Sequence, residues 1–142
     1  MRRRWRRVCQ LGTGAGLILA VLSAQAENWQ KISEDAVQTS SVDRDSFRVD
    51  AGQIWFREKH VILNQQVDPG SLRRIREIQE RRLVDCDKKR IATASRAVFG
   101  DDDALIFYSA FRPRQMAWMS AKLDQAAFDL VCAKPVPAAR RD

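Results

Sequence analysis

Ser120-Ala121-Lys122-Leu123-Asp124-Gln125-Ala126-Ala127-Phe128-Asp129-Leu130-Val131-Cys132 decides the fold, because the spacing of apolar residues changes there. Leu123, Ala126, Ala127, Leu130 and Val131 follow the i, i+3, i+4, i+7, i+8 pattern of one helical face, and Ser120 is placed to cap its start. A stripe built of Leu, Ala and Val needs an apolar surface to cover. The segments upstream supply one, since they read as strands. Downstream, Pro135-Val136-Pro137 cannot continue a helix, so residues 135–142 are expected to form a flexible tail.

Working back from the helix, Leu105 to Phe111 is a strand ended by Pro113, and Gly100-Asp101-Asp102-Asp103 is the turn before it. Arg90 to Phe99 places Ile91, Thr93, Ser95, Ala97 and Phe99 in period two, so it forms the other arm of that hairpin. Asp87-Lys88-Lys89 makes a tight polar turn. Arg73 to Cys86 alternates as a strand would, although Ile75, Ile78, Gln79 and Arg82 also fit helical spacing. Gln53 to Leu63 is dense in β-branched and aromatic residues, contains no Gly or Pro, and predicts a long strand. Asn28 to Ile32 opens the sheet. Ser41 to Ser46 is expected to turn on its own Asp and Ser side chains, and Phe47 to Val49 to re-enter the sheet before Asp50-Ala51-Gly52 turns again. A run of antiparallel strands followed by one helix is an α+β pattern.

The chain has 142 residues, and its 25 Lys plus Arg against 18 Asp plus Glu give a formal charge of +7. Five of those cations, Arg2, Arg3, Arg4, Arg6 and Arg7, precede residue 27, where no acid occurs. Without them the excess is small, which argues against a nucleic-acid binder. The same arginines, the apolar stretch Leu11 to Leu22 and the small-x-small site Ala24-Gln25-Ala26 read as a secretory signal over residues 1–26. The apolar stretch is shorter than the ~20 residues that span a bilayer, and no transmembrane segment is expected in the mature chain. An uncleaved anchor is the competing reading, and the paired arginines also fit a twin-arginine route. Gly12-Thr13-Gly14-Ala15-Gly16 lies inside this apolar region with no strand before it and no Lys-Ser/Thr, so it is no phosphate loop.

Cys9 would leave with the signal, and Cys86 with Cys132 remain as an even pair in an oxidising compartment. A disulfide is the expected outcome. It would close a loop of 46 positions, for which chain entropy gives about 4 kcal/mol. Neither Cys has a Cys-x-x-Cys partner or a nearby His, so thiol catalysis is not expected.

These residues also carry a resemblance. Trp29, Ser41-Val42-Asp43 with Ser46 and Phe47, Ile54-Trp55, Asp85-Cys86, Gly100, Trp118 and Ala127-Phe128-Asp129-Leu130-Val131-Cys132 occur in an order that resembles the surface-adhesin protein E-like domain of Gram-negative bacteria. The resemblance covers residues 27–134 as one domain. It implies an antiparallel sheet of about six strands packed on a C-terminal helix, with a helix-to-sheet disulfide at Cys86 and Cys132. It further implies a non-catalytic module that attaches to host matrix or plasma proteins and can form a homodimer. No Cys stands at the expected mature N-terminus to take a lipid anchor, so the alternative is a periplasmic or envelope structural or assembly protein without an extracellular ligand.

Arg73, Arg74, Arg76, Arg81, Arg82, Lys88, Lys89 and Arg90 form a basic tract, the expected contact surface for a protein or anionic glycan partner. The competing reading is a solvated strand whose charges pair with Glu58, Glu77, Glu80 and Asp87. Asp101-Asp102-Asp103 lacks the spacing of a calcium loop. His60 is the sole His and has no Cys or second His close in sequence, so neither a zinc site nor any other metal or cofactor is expected. Enzymatic activity is not expected either, since no Gly-x-Ser-x-Gly elbow is present. Trp55, Phe56, Phe107, Tyr108, Phe111 and Trp118 read as core, except that a strand cannot hide both Trp55 and Phe56 on one face.

Overall fold

A computed structural model describes residues 27–133, so the expected signal sequence over 1–26 and the expected tail over 135–142 lie outside the described residues. Six strands follow in chain order: β1 (Trp29–Glu34), β2 (Gln38–Asp50), β3 (Gln53–Ile62), β4 (Ile75–Asp85), β5 (Arg90–Gly100) and β6 (Leu105–Ala110). Each pairs antiparallel with the next, giving the spatial order β1-β2-β3-β4-β5-β6. A two-residue strand, β7 (Met119–Ser120), returns to pair with the start of β5. A 3-10 turn (Ala121–Asp124) then leads into α1 (Gln125–Cys132). The α+β expectation is met, with β4 a central strand and the helical alternative for that segment excluded.

The turns follow from local chemistry. At the β2–β3 hairpin both Ala51 and Gly52 have positive φ, 48° and 77°, as a tight two-residue hairpin turn requires. At the β4–β5 hairpin the Asp85 carboxylate accepts the Lys88 backbone N–H. Ser41 to Ser46 does not leave the sheet as expected. It lies inside the 13-residue β2, and the register with β3 slips between Asp43↔Arg57 and Arg48↔Trp55. Asp43 Oδ1 accepts the N–H groups of Asn28 and Asp45, and the Ser46 hydroxyl donates to the Asp43 carbonyl. The self-bonding of a turn is present, but it builds a bulge.

Val42, Phe56, Val84 and Ile91 of the sheet enclose Ala127 and Val131 of α1, and all six are buried. Phe47 meets Phe56 edge to face at 6.4 Å. At the far end of the same strands Ile62, Ile78 and Val98 form a second cluster. An eight-residue helix is marginal alone. Here it is held by burial and by the disulfide between Cys86, just past β4, and Cys132, with Cα atoms 5.8 Å apart.

The helical stripe is shorter than the spacing predicts. Ser120 caps the 3-10 turn by accepting the Lys122 N–H, and the tighter turn brings Ala121 inward while Leu123 is 75% exposed. Leu123 and Ala126 therefore do not belong to the buried face. The expected core also loses Phe107, Tyr108 and Phe111, which are exposed. β6 pairs on one side only, at the edge of the sheet.

Candidate functional site

Adjacent residues on a strand point to opposite faces of its sheet, while directly paired residues share one. The register therefore defines a row on the face opposite α1: Trp29↔Asp43, Asp43↔Arg57, Arg57↔Arg81 and Arg81↔Ser95 cross five strands. Trp55 and Lys59 flank Arg57 at i−2 and i+2 on the same face. Trp29 lies under two cations, with Lys59 Nζ 4.3 Å and the Arg57 guanidinium carbon 5.4 Å from its ring centroid. The Arg81 guanidinium carbon stands 5.4 Å over Trp55. Between them opens a groove of about 580 Å³, lined by Glu27, Asp43, Arg48, Trp55, Arg57 and Arg81.

Arg57 is fixed within this groove. Its Nη2 lies 2.5 Å from Asp43 Oδ2 and 2.9 Å from Glu27 Oε1. Asp43 is buried, which opposes its charge, but the Arg57 hydrogen bonds and the N–H groups of Asp45 and Asn28 outweigh burial and hold the carboxyl below its usual range. Arg81 is exposed and has no carboxylate within ion-pair distance among the described residues. The result is a fixed aromatic and cationic surface bordered by two exposed guanidiniums, Arg48 and Arg81, that have no carboxylate partner among the described residues.

Arg82, next in sequence, takes part in a different arrangement. Phe56↔Arg82 and Arg82↔Thr93 place it on the face covered by α1, where it is 5% exposed. Its Nη1 lies 2.5 Å from Glu58 Oε2 and also pairs with Asp124, and its Nε has no hydrogen-bond acceptor. Burial pushes Glu58 up to about 7, with Asp124 and Glu80 adding to the rise against the pull of Arg82. His60, two residues along β3, is pushed down by burial.

The expected basic tract is thus divided. Arg82 is no part of an exposed surface, because the alternation of β4 turns it under the helix. Arg73 pairs with Asp102 at 2.5 Å and Arg76 with Asp103, both at the β5–β6 turn. At the opposite end of β4, Lys88 and Arg90 share Asp85, and Arg90 stacks on Trp118 at 4.3 Å. The two ends are separated by roughly 30 Å of strand. Arg74, Arg76, Arg81, Lys88 and Lys89 are exposed, yet only Arg81 borders the groove. Of the anticipated acidic partners, Glu58 and Glu80 are taken into the covered cluster. The sequence reading missed Arg57 and Lys59, although Trp55, Arg57 and Lys59 at period two carried the signal.

Residues 29–133 match the profile of surface-adhesin protein E. The chain belongs to the surface-adhesin protein E family. Two solved structures of Haemophilus influenzae protein E share its fold. One crystal form superposes with a TM-score of 0.53 at 15% identity, covering 75% of this chain and 87% of the other. A structure of protein E from a non-typeable strain gives a TM-score of 0.52 at 15% identity, with 81% and 82% covered. No curated protein sequence matches the chain. No helix among the described residues is long and apolar enough to cross a membrane.

Proposed function

We propose that the protein is an exported, non-catalytic binding module that attaches to a protein partner through the face of the sheet opposite α1. The row from Trp29 through Arg57 to Arg81 carries this reading. Two indole rings already stacked by cations are rigid contact surface of the kind that dominates protein interfaces, and ordering them costs little further entropy. Asp43 and Glu27 neutralise Arg57, which leaves Arg81 and Arg48 to select a partner with exposed carboxylates or sulfates. Membership of a surface-adhesin family supports host matrix or plasma proteins as that partner.

Binding of the purified chain to a panel of immobilised matrix and plasma proteins, with heparin as the anionic-glycan arm, tests this reading. A bound partner should be lost about tenfold with Trp55→Ala. With Arg81→Glu it should be lost more steeply at low salt than at high salt. Binding that both variants leave intact would move the contact surface elsewhere. Protease treatment of intact cells addresses location: removal of the protein fits an adhesin, and protection fits the envelope-assembly alternative.

A further inference from the structure

We propose that Glu58, His60 and Glu80 form a binding site for one divalent transition-metal ion, with Zn²⁺ the best match, on the sheet face beneath Asp124. The inference is independent of the groove, which lies on the opposite face. One ligand atom from each of the three side chains lies within 4.8 Å of the other two. His60 Nε2 is 3.8 Å from Glu58 Oε1 and 4.0 Å from Glu80 Oε2. These separations are too long for hydrogen bonds and wider than the ~3.3 Å between donors on a tetrahedral zinc, so a shared cation would draw the three side chains together by about 0.5 Å or more.

Three further observations favour a metal over a simple ionic cluster. First, the ligands sit on paired strands: Glu58 and His60 are two apart on β3, and Glu80 is directly opposite Glu58 on β4. Strand-borne ligands hold geometry better than loop residues. Second, the other ring nitrogen, Nδ1, lies 2.9 Å from Ser40 Oγ, and Ser40 is buried. Gln38 Nε2 lies farther from Nδ1, at 3.5 Å. In the tautomer where the Ser40 oxygen accepts Nδ1–H, Nε2 keeps its lone pair, as the outer partners of metal-bound histidines ordinarily arrange, and a metal at Nε2 would select that tautomer. Third, Glu58, Glu80 and Asp124 face a single buried cation, Arg82, with Arg96 half-exposed at the rim, 3.7 Å from Glu80. Arg82 Nη1 occupies Glu58 Oε2 and Asp124, leaving Oε1 toward His60, and a divalent ion would supply the missing positive charge. One imidazole and two carboxylates, with His60 15% and Glu80 12% exposed, match the pattern of three protein ligands and a fourth, solvent-reachable position.

The test is calorimetric titration of ZnCl₂ into the full disulfide-bonded chain after chelator treatment, in a Cys9→Ser background that removes the competing thiol. The expected result is saturable uptake of one equivalent, lost in His60→Ala, with circular dichroism showing that the variant is folded. Ser40→Ala, which keeps all three ligands and removes only the orienting bond, should weaken binding about 10- to 100-fold. If His60→Ala does not fold, Glu80→Gln takes its place with the same expected loss. Absence of one-equivalent uptake, or uptake undiminished by the ligand substitution, overturns the proposal.

Discussion

Arg81 and Arg82 are neighbours in sequence and opposites in structure. Arg81 stands exposed over Trp55 on the open face, without a carboxylate partner among the described residues. Arg82 is buried beneath α1 between Glu58 and Asp124. The strand's two-residue period separates them, and the single helix, covering only one face, makes the separation matter. The charge of Arg82 is therefore tied up in a buried ion-pair cluster, while that of Arg81 stays open to solvent. Composition alone could not separate the two roles.

The covered face depends on its helix staying in place, so the largest expected effect comes from cutting the tie. Cys86→Ser and Cys132→Ser should each lower stability by about 4 kcal/mol in urea unfolding, and the double variant no further. Additive losses would mean that the two cysteines do not share a bond. If the faces are separable, the double variant should still bind through Trp55 and Arg81 under conditions where it remains folded.

Next in size is the contrast between the two arginines themselves. Removing one partner of a buried pair ordinarily costs about 3–5 kcal/mol, because the other charge is left without compensation. Arg82→Ala should fall near the lower end, roughly 3 kcal/mol, since Glu58 sits at about 7 already and can take up a proton. Arg81→Ala should change stability by less than about 0.5 kcal/mol, as surface substitutions do. Equal costs for the two variants in the same unfolding assay would erase the distinction between the faces.

Much of the fold was legible because it rests on periodicity. The strands from Gln53 onward, the two polar hairpin turns, the helix and the Cys86–Cys132 pair all follow from spacing and compartment. Errors arose where a local rule had two structural outcomes. Asp43 and Ser46 bond their own backbone in a bulge as readily as in a turn. The apolar spacing from Leu123 assumed 3.6 residues per turn, whereas a 3-10 turn precedes the helix and rotates Leu123 outward. The site was less legible, since a tract of cations in sequence says nothing about which face each one occupies. Phe107 and Tyr108 show the same limit, because an apolar strand reads as core until its place at the sheet edge is known.

A smaller loss than that of Arg82→Ala tests whether the open face is purely a contact surface. Asp43 lies on it yet is 3% exposed, and it joins β1 and the β2 bulge to Arg57. Asp43→Asn keeps the shape and removes the charge. At neutral pH it should cost roughly 1–2 kcal/mol, a charged hydrogen bond discounted for the partly exposed Arg57. The folded carboxyl titrates below the ordinary value of 3.8, so the unfolded state binds its proton first as the pH falls. The stabilisation is thus complete above about pH 5 and declines as the pH drops through 3.8 toward the folded value. Urea unfolding of the two proteins side by side should show a constant gap from pH 7 to 5, then a narrowing one. A gap that persists at the lowest pH where both remain folded would assign the effect to packing of the side chain, and the open face would owe its rigidity to shape alone.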